Sequence, residues 1–289
     1  MATRSSSKNY LKLTRFRISL STAIAAMAGF LLFTPLKDSR QVETLFAVMW
    51  GCFLLTAGLS ALNQLQEYTQ DAKMKRTADR PLPAQTRTPR EVMFFGVICT
   101  FVAVFWAAVM SGTVLALIFI AAFVLYNGCY TPMKTKTSLA LPIGAIAGAL
   151  PILAGWVAAG GNPLSFTILN AALVLFLWQG PHYMLLAKLY KNDFDNSDIR
   201  ALQTTHSPQL CKAYCILWGT TYALAILSFA FFTPKMHQTY QYLLCAIAFM
   251  GPLACLVKSA RSGFFIINIS LAFFLLFATA GRLLYMPNL

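Results

Sequence analysis

The chain alternates between long apolar runs and polar connections, with nine apolar runs of about 20 residues each. A helix of that length crosses the hydrocarbon core of a bilayer. The pattern therefore predicts an all-α polytopic membrane protein with nine transmembrane helices, at residues 18–36, 45–65, 92–110, 113–130, 139–159, 164–187, 210–232, 240–257 and 263–284. We expect a single membrane domain over residues 18–289, preceded by a basic cytoplasmic tail at residues 1–17.

The composition excludes an ordinary soluble domain. Of the 289 residues, 58% are hydrophobic and 11% are charged, whereas about a quarter of the residues in soluble domains are charged. The seven cysteines lie mostly inside apolar runs and form no C-x-x-C pair. Neither a disulfide framework nor a zinc site is indicated.

The net charge of +14 follows from membrane topology rather than from nucleic-acid binding. If the N-terminus is cytoplasmic, 19 of the 23 Lys and Arg residues fall on the cytoplasmic side. The other four are Lys37, Arg40, Lys235 and Arg282. This bias predicts a cytoplasmic N-terminus by the positive-inside rule.

Acidic residues cluster in two of the cytoplasmic connections, which follow the second and sixth apolar runs. Seven of the nine acidic residues lie there: Glu67, Asp71, Asp79, Glu91, Asp193, Asp195 and Asp198. Acidic residues contribute little to topology, so the clustering needs another cause.

The first cluster has the spacing of one helical face. Asn63, Glu67 and Asp71 are four residues apart, so on a continuing helix they project to the same side. Oxygen ligands of this kind suit Mg²⁺. The cations that follow suit phosphate oxygens; they are Lys73, Lys75, Arg76 and Arg80. The alternative is a solvated, amphipathic end of a membrane helix.

Two further groups of polar residues lie at or near the cytoplasmic ends of predicted helices. Trp178 and His182 belong to the sixth run and Lys188 directly follows it; Tyr130 ends the fourth run and Lys134 lies just beyond it. Ionisable residues at this depth are functional candidates. The alternatives are a histidine hydrogen-bonded between helices and lysines that only anchor the helix end. Together, the carboxylates and cations beneath an apolar bundle are compatible with an apolar substrate that carries a diphosphate group.

Four motifs carry a resemblance to a known family. They are N-x-x-x-E-x-x-x-D-x-x-M-x-R-T-x-x-R-P-L-P (63–83), Y-T-P-M-K (130–134), G-A-x-x-G-A-x-P-x-x-x-G-W (144–156) and W-Q-x-P-H-Y (178–183) with a following D-F (193–194). Together they resemble the UbiA intramembrane prenyltransferase superfamily, and more narrowly its haem-farnesylating branch. The resemblance runs in register from about residue 10 to the C-terminus.

The resemblance implies a nine-helix bundle around a central cavity and a Mg²⁺-dependent reaction in a bacterial cytoplasmic (inner) membrane, with the mitochondrial inner membrane less favoured. In that reaction, the farnesyl group of farnesyl diphosphate joins the 2-vinyl group of haem b, water is added and diphosphate is released. Contacts with haem A synthase or oxidase assembly proteins would follow from the same resemblance.

The resemblance also implies roles for particular residues. The catalytic group comprises Asn63, Glu67, Asp71, Tyr130 and Lys134. The diphosphate contacts are Arg76, Arg80, Lys134 and Lys188. The haem contacts are His182 and Trp178, and the metal ligands are Asn63, Glu67, Asp71, Asp193 and Asp198.

Two departures from the superfamily pattern affect these assignments. Position 67 is Glu where many members carry Asp, although the longer side chain still reaches a metal. The second loop lacks a D-x-x-x-D motif, because Asp193 and Asp198 are five residues apart. Which of the two carboxylates contacts the metal is therefore open.

Three other functions share parts of this pattern. A prenyltransferase acting on an aromatic quinone precursor, such as 4-hydroxybenzoate, needs the same diphosphate site but not W-Q-x-P-H-Y. A transporter of an anionic solute would use the basic face without chemistry, and a haem-binding assembly factor would not need the acidic motif.

Overall fold

The structure, a computed structural model, describes residues 9–285. Within this range nine helices are long and apolar enough to cross a membrane. They are α1 (Phe16–Phe33), α2 (Ser39–Gln66), α3 (Pro89–Ser111), α4 (Thr113–Met133), α5 (Ala140–Ala158), α6 (Phe166–Leu189), α7 (Pro208–Phe232), α8 (Gln238–Leu256) and α9 (Ala260–Leu283). The prediction of nine spanning helices is confirmed. Three short helices connect them: Tyr68–Lys73, Lys191–Asp195 and Leu202–Thr205.

Several helices begin at polar capping residues. The Asp38 side chain accepts a hydrogen bond of 2.7 Å from the backbone N–H of Gln41, so α2 starts six residues before the apolar run predicted at residue 45. Thr88 and Glu91 form a reciprocal capping box at the start of α3, with Pro89 in its first turn. Such caps satisfy backbone N–H groups that have no partner within the helix.

Glycines allow two helix pairs to pack backbone against backbone. A Cβ atom at Gly155 of α5 would overlap the carbonyl oxygen of Ala26 in α1, and one at Gly29 would overlap the carbonyl oxygen of Ile152. A Cβ atom at Gly58 of α2 would lie 2.9 Å from the carbonyl oxygen of Gly96 in α3, and one at Gly96 would lie 3.2 Å from that of Gly58. At Gly155 the small residue thus permits close packing of the first and fifth spanning helices.

The last spanning helix closes the bundle against the first. The Arg282 side chain, near the end of α9, donates hydrogen bonds to the carbonyl oxygens of Leu32 in α1 and Pro234, at 3.1 and 2.5 Å. Between the helices lies a cavity of about 820 Å³. Among the described residues, it is lined by α1, α2, α4, α5, α6 and α9 and by the connections next to them, while α3, α7 and α8 pack outside.

Candidate active site

The cavity is apolar along most of its length and ionic at one end. We call this the basic end; it is the end of the bundle at which α1 begins and α2 finishes. Of the residues that the structure describes, six charged side chains face the cavity there: Arg15, Glu67, Asp71, Arg76, Arg80 and Lys134. The volume lies within the range of about 300–1,000 Å³ that is common for ligand sites. The arrangement suits a molecule with an anionic group and an apolar remainder.

Asn63, Glu67 and Asp71 keep the predicted helical spacing across a break in the helix. Helix α2 ends at Gln66, and the short helix Tyr68–Lys73 follows directly. The backbone N–H of Glu67 bonds to the carbonyl oxygen of Asn63, and that of Asp71 bonds to the carbonyl oxygen of Glu67, at 3.0 and 2.8 Å. These bonds continue the i, i+4 register, and all three side chains are buried.

Each of the two carboxylates forms an ion pair with one cation: Glu67 with Lys134, and Asp71 with Arg80. Lys134 Nζ lies 2.9 Å from Glu67 Oε1. Arg80 Nη1 lies 2.6 Å from both carboxylate oxygens of Asp71. Lys134 Nζ also lies over the Tyr130 ring, 4.3 Å from its centroid. The structure thus brings together five residues predicted from the sequence.

Burial and charge act in opposite directions on the ionisation of these groups. Burial alone would raise the pKa of Glu67, but Lys134, with Arg15 and a hydrogen bond from Asn63, holds that pKa below its ordinary value. Burial alone would lower the pKa of Lys134, but Tyr130 and Glu67 raise it above its ordinary value. Burial, together with the charge of Arg15, lowers the pKa of Arg80 to about 10 even though Asp71 opposes the shift. The Glu67–Lys134 pair is therefore fully charged near neutral pH.

Arg15 is a site residue that the sequence analysis missed. It precedes α1 with a left-handed backbone (φ 44°), and its Nη2 donates a hydrogen bond of 2.8 Å to Asn63 Oδ1. Asn63 Nδ2 in turn donates to Thr131 Oγ1 at 3.1 Å. Leu13 is buried as well. Leu13 of the predicted tail is therefore packed against the helices, and Arg15 contributes to the site.

A π-helical turn in α4, Val124–Tyr130, shapes the opposite wall. Such turns occur mostly as single insertions in α-helices, frequently at functional sites. The turn carries Tyr126 and Tyr130, which both line the cavity and whose ring centroids are 5.5 Å apart. A Cβ at Gly144 of α5 would lie 2.7 Å from the Tyr130 ring, so this glycine leaves room for the phenol.

The second acidic loop contacts the first through hydrogen bonds to backbone amides and through one ion pair, which the sequence did not indicate. Asp193 is buried, and its two carboxylate oxygens accept hydrogen bonds from the backbone N–H groups of Lys75 and Arg76, at 3.1 and 3.2 Å. Asp198 forms an ion pair of 2.7 Å with Lys73. Across residues 9–285, no three His, Cys, Asp or Glu side chains are grouped closely enough to hold a metal ion. The metal role of Asp193 and Asp198 stays a prediction.

The remaining predicted contacts divide between the cavity and the surface. Arg76 lines the cavity, and its guanidinium carbon lies 5.4 Å from the centroid of the Tyr190 ring. Lys188 is exposed and is not among the residues that line the cavity. Trp178 and His182 line the cavity one turn apart on α6, with ring centroids 4.3 Å apart.

The fold and the site define a multi-pass helical membrane protein with a central cavity and an ionic site at its basic end. The chain belongs to the UbiA prenyltransferase family, which matches it over residues 19–264. It is 32% identical over 273 residues to the protoheme IX farnesyltransferase of Oleidesulfovibrio alaskensis, covering 94% of this chain and 95% of that protein. It is 36% identical over 230 residues to the protoheme IX farnesyltransferase of Geobacter sulfurreducens, covering 78% and 83%.

Solved structures support the same fold at low sequence identity. A structure of digeranylgeranylglyceryl phosphate synthase superposes with a TM-score of 0.76 and 15% identity, covering 96% of this chain and 98% of that one. A UbiA homologue from Archaeoglobus fulgidus, bound to GPP and Mg²⁺, gives a TM-score of 0.71 with 13% identity, covering 95% and 99%. At these identities the likeness establishes the fold alone.

Proposed function

We propose that this protein transfers the farnesyl group of farnesyl diphosphate to the 2-vinyl group of haem b, with addition of water and release of diphosphate. The observation that carries the proposal is the ionic cluster at the basic end of an apolar cavity. The names of the Oleidesulfovibrio and Geobacter relatives favour haem as the acceptor and farnesyl as the transferred group. Their bacterial origin favours the inner membrane.

The cations of the cluster would bind the diphosphate and stabilise it as a leaving group. When the carbon–oxygen bond breaks, negative charge accumulates on the departing diphosphate. Preorganised positive groups stabilise such charge as it develops. The four cations that face the cavity are Arg15, Arg76, Arg80 and Lys134. The apolar walls would hold the prenyl chain and keep water from the allylic cation.

The first acidic motif fits Mg²⁺ by the chemistry of its donors. An amide oxygen from Asn63 and carboxylates from Glu67 and Asp71 form an all-oxygen set, and Mg²⁺ prefers such ligands. When bound, Mg²⁺ would supply positive charge to the diphosphate. Ion pairs with Lys134 and Arg80 hold the Glu67 and Asp71 carboxylates in position. Asp193 and Asp198 would add oxygen ligands from the second acidic loop; each Asp193 oxygen accepts one backbone hydrogen bond and keeps a second lone pair.

A product assay tests the reaction, the acceptor and the metal together. Purified protein is incubated with haem b and farnesyl diphosphate in the presence of Mg²⁺ or of a chelator, and products are analysed by mass spectrometry. The expected product is haem that has gained a farnesyl group and water, and it should disappear with the chelator.

Two other results would replace the proposal. Prenylation of an aromatic acid such as 4-hydroxybenzoate, with no haem product, would retain the diphosphate site and remove haem as the acceptor. Uptake of an anionic solute by proteoliposomes, with no product from any acceptor, would indicate a transporter.

A further inference from the structure

Helix α9 holds the Trp178–His182 pair of α6 in a fixed position. Trp178 Nε1 donates a hydrogen bond of 2.8 Å to the carbonyl oxygen of Ile267. His182 Nδ1 lies 3.1 Å from Asn268 Oδ1. The His182 ring also packs between Trp178 and Phe264, with centroid distances of 4.3 and 4.9 Å. Two side chains that line the cavity are therefore oriented by one neighbouring helix.

The contacts of Asn268 determine which nitrogen of His182 carries the proton. Asn268 Nδ2 donates a hydrogen bond to the carbonyl oxygen of Phe264 at 2.5 Å, which leaves Oδ1 to face the imidazole. An amide oxygen can only accept hydrogen bonds. Nδ1 of His182 is therefore the protonated nitrogen, and in the neutral ring the lone pair is on Nε2.

Nε2 of His182 is available to a molecule in the cavity. Among residues 9–285, no side chain or backbone group forms a hydrogen bond with this nitrogen. The nitrogen is not fully buried, so a ligand can reach it. His182 lines the cavity. It lies seven residues before the end of α6 at Leu189, which corresponds to about 10 Å from the basic end at 1.5 Å per residue.

We propose that Asn268 is a positioning residue, which orients His182 so that Nε2 coordinates the iron of the haem acceptor. The inference rests on the proposed function, because it requires haem in this cavity. Neutral imidazole is a common axial ligand of haem iron. Histidines that bind metals almost always donate their other N–H to an oxygen, which fixes the tautomer and the ring orientation. Asn268 supplies that oxygen.

Haem titrations of purified variants in detergent test this role. The wild type, His182→Ala, Asn268→Leu and Asn268→Asp are compared by the absorption spectrum of bound haem, by haem affinity and by the reduction potential of the iron. Affinity for farnesyl diphosphate is measured for each variant to confirm the fold. Asn170→Leu is the matched control, because Asn170 is another asparagine of the membrane region that bonds to a side chain, Ser228, and does not line the cavity.

The wild type should show a histidine-ligated spectrum that His182→Ala lacks. Asn268→Leu should weaken haem binding by about 10–100-fold, the usual effect of removing such a partner, and should change the spectrum. Asn268→Asp keeps an acceptor for Nδ1–H and adds negative charge, so it should retain ligation and lower the reduction potential. A purely structural asparagine would produce none of these spectroscopic changes.

The failures of the two proposals can be told apart. If the wild type farnesylates haem while His182→Ala or Asn268→Leu keeps the wild-type spectrum and affinity, the inference is overturned and the proposed function stands. If the wild type binds no haem, both are overturned.

Discussion

At the scale of single residues, Asp71 is buried against one guanidinium group. Its side chain is 1% exposed and pairs with Arg80. Asp71→Asn removes the charge but preserves the shape, and the backbone oxygen of Asp71 still accepts from Thr77 Oγ1. We expect the variant to fold and its turnover to fall by about 10²–10³-fold, because it lacks a carboxylate proposed to hold Mg²⁺ at the diphosphate, and losing one electrostatic group of a site has effects of this size.

Turnover of Asp71→Asn is measured with the product assay, and folding by size-exclusion chromatography and thermal melting. Asp79→Asn is the matched control, since Asp79 belongs to the same connection but its side chain is 71% exposed. Equal turnover in Asp71→Asn and Asp79→Asn would remove Asp71 from the site.

The Glu67–Lys134 pair predicts how stability depends on pH. Folding lowers the pKa of Glu67, so its contribution to stability is present above the ordinary pKa of about 4.3 and is lost as pH falls through the lowered value. The ordinary pKa of a lysine is about 10.4. Because the pKa of Lys134 is raised, the ion pair persists to a higher pH than that value.

This dependence is measured as the difference in melting temperature between the wild type and Glu67→Gln. The difference should be present at pH 7 and should narrow as the pH falls below about 4. Glu43→Gln, at an exposed position of α2, provides the control. A difference that stays constant from pH 7 to pH 3 would contradict the charged pair.

The site could be predicted from the sequence where its residues share a local spacing or a motif. Asn63, Glu67 and Asp71 share one helical face, and they were found by that spacing. Arg15 contacts Asn63, 48 positions away, and Asn268 contacts His182, 86 positions away, so no local pattern connects them. A single asparagine in the apolar run of α9 was the one available signal for Asn268.

At the scale of helices, the crossing of α1 and α5 depends on glycine. Gly155→Ala would place a Cβ against the carbonyl oxygen of Ala26, and backbone cannot move aside as a flexible side chain can. We expect a loss of about 1–3 kcal/mol, as for other overpacked cores, measured by thermal melting in detergent.

Gly128→Ala is the control for this crossing. The nearest atom to a Cβ at residue 128 is Val124 Cγ1, at 3.9 Å, which is an ordinary contact. A melting temperature of Gly155→Ala equal to that of Gly128→Ala would show that the two helices are not in close contact.

The helices were predicted well in number and less well in detail. Length and hydropathy identify a spanning helix without any knowledge of its neighbours, so all nine were found. The start of α2 was missed because its cap, Asp38, lies in a polar stretch before the apolar run. The π-helical turn Val124–Tyr130 was also missed, since seven mostly apolar residues do not distinguish i→i+5 from i→i+4 bonding.

The contacts of Asp193 are with backbone amides, which every non-proline residue carries, so no residue pattern marks them.

At the scale of the whole molecule, the distribution of Lys and Arg predicts the orientation. Lys37, between α1 and α2, and Lys191, after α6, are both exposed and lie at opposite ends of the bundle. In a variant without the seven native cysteines, Lys37→Cys should react in intact spheroplasts with a membrane-impermeant maleimide. Lys191→Cys should react only after permeabilisation. The reverse labelling pattern would place the N-terminus and the ionic cluster outside the cell.

The hydrogen bond between Arg282 and Leu32 joins residues that are 250 positions apart. A ribosome delivers α1 first and α9 last, so the wall that α9 supplies is absent during most of synthesis. A chain interrupted before Ala260 therefore exposes an open groove to the surrounding lipid. The cavity can enclose substrates only after α9 has inserted. Before that point, the cavity is open on the side of α1 that α9 later covers.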